Sequence, residues 1–197
     1  MSEDKAVTLG RLIAEFQRSA FRLEARSVYA VDAEADFLAA YVRGEPKAPP
    51  TPEIAEWVAM LRQLPATGRT MTRVHAIAGP LTPYLRYELD WGYGFTADAG
   101  EDVRILHRGS WAEMPFGAEP PDFWLLDDTS VGILEYASDG EWLDVLLVTD
   151  PSEVATYQRL RDSALGEAIP LRDYLAALRA SPLDPLPLLQ TPARTAS

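Results

Sequence analysis

Residues 73–93, RVHAIAGPLTPYLRYELDWGY, read as a buried strand, a tight break and a helix crowded with polar aromatics. Val74, Ala76 and Ile77 make a short apolar strand, and Gly79-Pro80 ends it, because proline has no N–H to give to a ladder. Thr82 is placed to cap a helix and Pro83 to open it, where the missing N–H costs nothing. Tyr84, Arg86, Tyr87, Glu88 and Trp91 then crowd one short helix. The segments before this unit read as support for it, and those after it as its facing surface.

Upstream, Leu12, Ile13 and Phe16 have helical spacing. In SAFRLEARSVYAV, Phe21, Leu23 and Ala25 alternate with Arg22, Glu24 and Arg26, which fits a strand or a short bent connection. Asp32 can cap a helix running to about Val42, with Phe37, Leu38 and Tyr41 inward and Gly44 at its end. GEPKAPPTP is a stiff linker, after which Pro52 opens a helix with Ile54, Trp57, Val58 and Leu61 on its buried stripe. Pro65 and Gly68 stop that helix.

Downstream, Gly92 to Gly100 reads as a glycine-punctuated loop and Asp102 to His107 as a strand. Arg108 to Pro121, rich in Gly and Pro, reads as a covering loop. Phe123–Leu126, Val131–Tyr136 and Trp142–Val148 form an antiparallel meander, with turns at Asp127-Asp128-Thr129-Ser130 and Ser138-Asp139-Gly140. Asp150-Pro151-Ser152-Glu153 is a helix start with a capping box. Val154, Tyr157, Leu160 and Ala164 line its inner face, and a last helix spans Leu171 to Ala180. The tail SPLDPLPLLQTPARTAS should be extended, mobile or docked through Leu186, Leu188 and Leu189.

The expected fold is α+β: a mixed, largely antiparallel sheet with a C-terminal three-stranded meander, packed against N-terminal and C-terminal helices. The expected organisation is a single domain over residues 1–180, followed by a Pro-rich extended tail over 181–197. Within the domain, residues 1–66 are the helical part, 69–149 the sheet core and 150–180 the C-terminal helices.

Composition narrows the function. The 197 residues are 47% hydrophobic and 10% aromatic, enough for a sizeable core. Net charge is −12, which argues against direct nucleic-acid binding and against anionic membranes, both of which need clustered Lys and Arg. An acidic surface suits a basic partner or simply solubility. With no cysteine, disulfides, thiolate catalysis and Cys-ligated metals are excluded. The first ten residues lack a basic stretch leading into an apolar one, so the expected location is cytoplasmic.

His75 and His107, the only histidines, lack ligand spacing, so no metal is expected. There is no GxSxG elbow, GxGxxG loop or phosphate-binding GxxxxGK[ST] loop, so no activated serine or nucleotide cofactor is signalled. Asp127-Asp128 reads as a turn former before an acid–base pair. What remains is a set of polar and aromatic residues on otherwise buried elements: Arg22, Arg73, His75, Tyr84, Arg86, Tyr87, Glu88, Trp91, Tyr93, Arg104 and Trp124. Glu24, Asp102, Glu135 and Tyr136 lie among them. Buried charges must be paired, and Tyr and Trp keep a hydrogen-bonding handle when buried. Such a set can line a concave pocket for a small ligand or peptide. The competing reading is of outward strand faces and ordinary helix-surface pairs, such as Arg86 with Asp90.

FRLEARSVYAV, RVHAIAGPLTPYLRYELDWGY, GEDVRIL, PDFWLLDD and DPSEVATYQRLRDSAL together resemble an actinobacterial domain family of unknown function, over about Phe16 to Ala168. Members of that family are commonly encoded beside Xre-type helix-turn-helix regulators. The element order also resembles the sensor half of those regulators, itself similar to a single phospholipase-D-like unit. The HxKxxxxD motif is missing here: Ala76 and Ile77 follow His75, and Arg108 and Gly109 follow His107. The resemblance therefore implies a non-catalytic version tied to transcriptional control, and it carries no catalytic residues over.

Two functions are expected. The first is a non-enzymatic regulatory or binding protein that works with a basic helix-turn-helix partner and holds a small molecule in the polar-aromatic pocket. The alternative is a small cofactor-free biosynthetic enzyme using Glu88, His75 and Tyr84 for acid–base chemistry.

Overall fold

The computed structural model describes residues 2–110 and 120–180. Most of the covering loop and the whole leucine-bearing tail lie outside them. The elements run α1 (Ser2–Glu15), β1 (Ser19–Glu24), α2 (Ala35–Val42), α3 (Pro52–Gln63), β2 (Thr70–Ile77) and α4 (Pro83–Tyr87), and α4 leads without a break through a wide turn at Glu88–Gly92 into α5 (Tyr93–Ala97). There follow β3 (Asp102–His107), β4 (Asp122–Leu126), β5 (Ser130–Tyr136), β6 (Trp142–Val148), α6 (Pro151–Glu167), β7 (Ile169–Pro170) and α7 (Leu171–Ala180). Among the described residues the strands form one seven-stranded sheet in the order β6-β5-β4-β1-β2-β3-β7. β1, β2 and β3 are parallel, and every other neighbouring pair is antiparallel. The fold is α+β with a mixed, largely antiparallel sheet.

Strand alternation gives the sheet two unlike faces. Phe21, Leu23, Val74, Ala76, Phe123, Leu125 and Val131 form the apolar centre of one, sealed by Val154, Leu160 and Ala164 of α6. Burying one such large side chain contributes about 1.5–3 kcal/mol, and Gln158 and Arg161 add polar contacts from the helix to Asp128. α6 begins where its sequence predicts, with the Asp150 carboxylate accepting from Ser152 N–H at 2.9 Å and Glu153 N–H at 3.2 Å. The opposite face is apolar at its ends and charged in the middle, and that middle holds the candidate site.

The turn between β4 and β5 does more than join them. Asp127 (φ 53°) and Asp128 (φ 62°) are both left-handed, as a type I′ hairpin turn requires, and aspartate tolerates that conformation better than most residues. The Asp127 carboxylate also accepts from the amides of Gln17 and Arg18, both at 2.7 Å, and of Ser19 at 3.1 Å. The turn thereby clamps the link between α1 and β1.

Two local expectations are corrected. Residues 92–97 are helical, not loop, and Gly100 (φ 108°) ends the segment. The Tyr93 N–H reaches back five residues to the Glu88 carbonyl, a wide turn that absorbs Gly92 without breaking the rod. Asp32 makes no side-chain cap, and a 3₁₀ turn at Asp32–Glu34 precedes α2. Asp90 accepts the Tyr41 hydroxyl at 2.6 Å.

Candidate functional site: a charged sheet face beneath an aromatic helix

The register places Arg22 beside Arg73 and Glu24 beside His75 on the parallel pair, and Arg22 beside Trp124 on the antiparallel one. Alternation then turns Arg22, Glu24, Arg73, His75, Asp122 and Trp124 to the same face of the sheet. The α4–α5 rod lies over this face. Two arginines on adjacent strands would repel each other there, and Glu24 is what makes the arrangement tenable.

Glu24 is buried at the centre of the network. It accepts from Arg73 Nη1, from Arg22 Nε at 3.4 Å and from the Tyr93 hydroxyl at 2.9 Å. Arg73 Nε also binds Glu101 at 3.0 Å. Burial alone would raise the Glu24 carboxyl, but Arg73 and Arg22, helped by His75 and Tyr93, more than reverse this and hold it at about 2.

His75 is fully buried, and its tautomer follows from its neighbours. Nε2 faces the Arg26 carbonyl at 2.8 Å, so Nε2 carries the hydrogen and Nδ1 meets the Tyr93 hydroxyl with a lone pair. Burial lowers the pKa of the ring and keeps it neutral, although Glu24 lies 3.7 Å from Nδ1. Tyr93 thus bridges an imidazole and a carboxylate with one proton between them.

A second knot closes the far end. The Tyr29 hydroxyl donates to Asp122 and accepts from the Ala25 and Arg26 amides, each at 3.2 Å. Arg22 Nη2 reaches Asp122 at 3.4 Å and Tyr136 at 3.2 Å. The Arg22 guanidinium stacks 5.7 Å from the Trp124 ring centroid. Burial raises the Asp122 carboxyl despite Arg22, and it pushes the Tyr29 phenol well above its ordinary range.

Between α3 and the α4–α5 rod opens a cavity of about 210 Å³, with Arg73 and Tyr93 in its floor. Its walls include Ile54, Trp57, Tyr87 and Phe95, and three carboxyls reach it: Glu34, Glu53 and Glu88. Glu88 is only 6% exposed, and its Oε1 meets no hydrogen-bond donor. Burial, then repulsion from Glu34 and Glu24, raises its carboxyl well above the usual range. Gly92 explains the space it occupies, since a Cβ there would stand 2.9 Å from the Glu88 carboxyl carbon. Glu34, likewise raised by burial, accepts the Tyr84 hydroxyl at 3.2 Å. A second cavity of about 420 Å³ lies at the C-terminal ends of the parallel strands and includes Arg26, Arg108 and Asp122.

Of the residues singled out from the sequence, Arg73, Tyr87, Glu88 and Tyr93 line the first cavity. Arg22, His75 and Trp124 belong to the buried layer beneath it. Tyr84 touches it through Glu34. Trp91 is buried behind it against Tyr41 and Tyr87. Arg86 is half-buried on α4 and acts on the Tyr41 phenol. Arg104 lies apart, paired with Asp102 at 2.9 Å near the surface. Sequence reasoning missed Tyr29, Glu34, Glu101 and Asp122, which have no motif and meet the site only through chain reversals. Among the described residues no group of three or more His, Asp or Glu could hold a metal ion. No helix there is long and apolar enough to cross a membrane.

The family model described as "Domain of unknown function (DUF6879)" matches residues 8–176, and the chain belongs to that family. No curated protein matches it. Among solved structures it is similar to TrmBL2, described as an archaeal chromatin protein with a novel mode of DNA binding, at 9% identity and a TM-score of 0.44. The match covers 84% of this chain and 49% of that one, so the chain spans about half its length.

Proposed function

Taking the chain as a member of that family, we propose that it is a non-enzymatic binding protein. It recognises a small molecule in the cavity between α3 and the α4–α5 rod, and it works with a basic helix-turn-helix partner. One observation carries the ligand reading: Arg73 in the floor is already paired with Glu24 and Glu101, while Glu88, in the cavity wall, has a buried carboxyl oxygen with no partner. A buried polar group without a hydrogen bond costs about 1–3 kcal/mol, which a guest would recover by drawing that oxygen round from Gly92 toward the cavity. The partner reading rests on the net charge of −12 and on the resemblance to families encoded beside such regulators.

The test is a fragment titration of the full chain followed by amide NMR, with Gly92→Ala alongside. The added methyl suits the helix but displaces the Glu88 carboxyl into the cavity. Shifts clustered on α3 and residues 83–97, lost in Gly92→Ala, are the expected result. Shifts scattered elsewhere, or unaffected by the variant, would sink the ligand reading. For the partner, no co-purification with a helix-turn-helix regulator and no change in its DNA binding would sink that half.

A second reading, acid–base catalysis without a cofactor, draws on the same Glu88, a carboxyl raised by burial in a cavity wall. His75 would not take part by contact, since both ring nitrogens are engaged and no surface is exposed. Turnover abolished by Glu88→Gln would favour it over binding alone.

A further inference from the structure

We infer that the cavity's guest is a small organic cation, an amine or guanidine with a compact apolar body, held by Glu88 and Glu34 among aromatic rings. This rests on the reading of that cavity as a ligand site and names what it takes.

The floor has one cation, Arg73, and its charge is spent on Glu24 and Glu101. Little positive charge is left to attract an anion. Apart from the Tyr87 and Tyr93 phenols, whose ionisation burial opposes, the other titratable groups lining the cavity are carboxyls: Glu34, Glu53 and Glu88. Glu53 is exposed at α3, whereas Glu88 is 6% exposed, lines the cavity and has an oxygen without a donor. A cationic guest favours the ionised form of the raised Glu88 carboxyl, which gives its proton to solvent and then accepts the guest's N–H; an anion or a second acceptor gains no such pairing.

The walls select the kind of cation. Trp57, Tyr87 and Phe95 present ring surface, and rings hold alkylammonium or guanidinium groups more readily than hydrated metal ions. The chain already makes this contact beside the cavity, where Lys47 Nζ sits 3.6 Å from the Phe95 centroid. Size limits the guest as well. At about 210 Å³ the cavity falls below the ~300 Å³ at which ordinary ligand pockets begin, which leaves room for one amine-bearing group and not for a nucleotide.

The experiment titrates the full chain calorimetrically with benzylamine, benzyl alcohol and benzoate, which share a ring and differ in charge. Benzylamine should bind at least about tenfold more tightly than the other two, the scale of one charge-assisted hydrogen bond. Glu88→Gln should remove about that factor for benzylamine and leave benzyl alcohol unchanged; its urea midpoint checks the fold. Benzyl alcohol or benzoate binding as tightly as benzylamine would overturn the cation inference and leave the ligand site standing. Binding by none of the three would overturn both.

Discussion

Replacing Glu24 by glutamine should separate the two arginines from their shared counter-charge while barely changing shape. The wild-type carboxyl is held at about 2 against an ordinary 4.5, which corresponds to about 3 kcal/mol of native stability at neutral pH. Removing one partner of a buried ion pair costs about 3–5 kcal/mol by general experience, so the two estimates meet near 3. The sign of the pH dependence is fixed. A carboxyl depressed in the folded state adds stability that is complete above its unfolded pKa and is lost as pH falls through the folded value. The stability gap between wild type and Glu24→Gln should therefore be constant from pH 8 to about 5.5. It should narrow by about 1 kcal/mol at pH 3.5, as protonation of the unfolded carboxyl overtakes that of the native one. Urea denaturation across this range measures it, and using the difference between the proteins cancels the other carboxylates. A loss under about 1 kcal/mol at pH 7, or a gap that ignores pH down to 3.5, would refute Glu24 as the charged centre of the network.

Two further outcomes test neighbouring parts of the structure. The His75 pKa is lowered by burial, so the unfolded chain takes up its proton first as pH falls below about 6.5; stability should decline there, and His75→Gln should flatten that slope in urea midpoints. Proton-detected nitrogen NMR should also find the hydrogen on Nε2, and a hydrogen on Nδ1 alone would contradict the contact with the Arg26 carbonyl. Asp127→Ala removes the acceptor for three amides and places a less tolerant residue at positive φ, so it should cost about 2 kcal/mol at pH 7, measured by chemical denaturation. A loss below 0.5 kcal/mol would mean the turn does not clamp the α1–β1 link.

Most elements were legible in the sequence because their causes are local. Alternation drew β1 and the β4–β6 meander, Thr82-Pro83 and Asp150-Pro151 marked helix starts, and Gly44 and Gly68 marked stops. The misreading at Gly92 and Gly94 is instructive. Glycine usually signals a break, but here the Glu88 carboxyl folds over Gly92, and a Cβ on Gly94 would stand 3.4 Å from Lys47 Nζ. Gly92 makes room for a side chain inside a helix, Gly94 would accept a Cβ at ordinary contact distance, and a one-dimensional pattern cannot tell either from a loop.

Period-two spacing by itself determined that Arg22 shares a face with Glu24, and Arg73 with His75. That all four share one face was decided only by the parallel pairing of β1 with β2, in a register that sets Arg22 beside Arg73. Tyr29, Glu34, Glu101 and Asp122 joined the site the same way, from segments far apart in the chain. Side-chain alternation is a property of one strand, whereas strand order and register come from long-range burial, which no single stretch of residues contains.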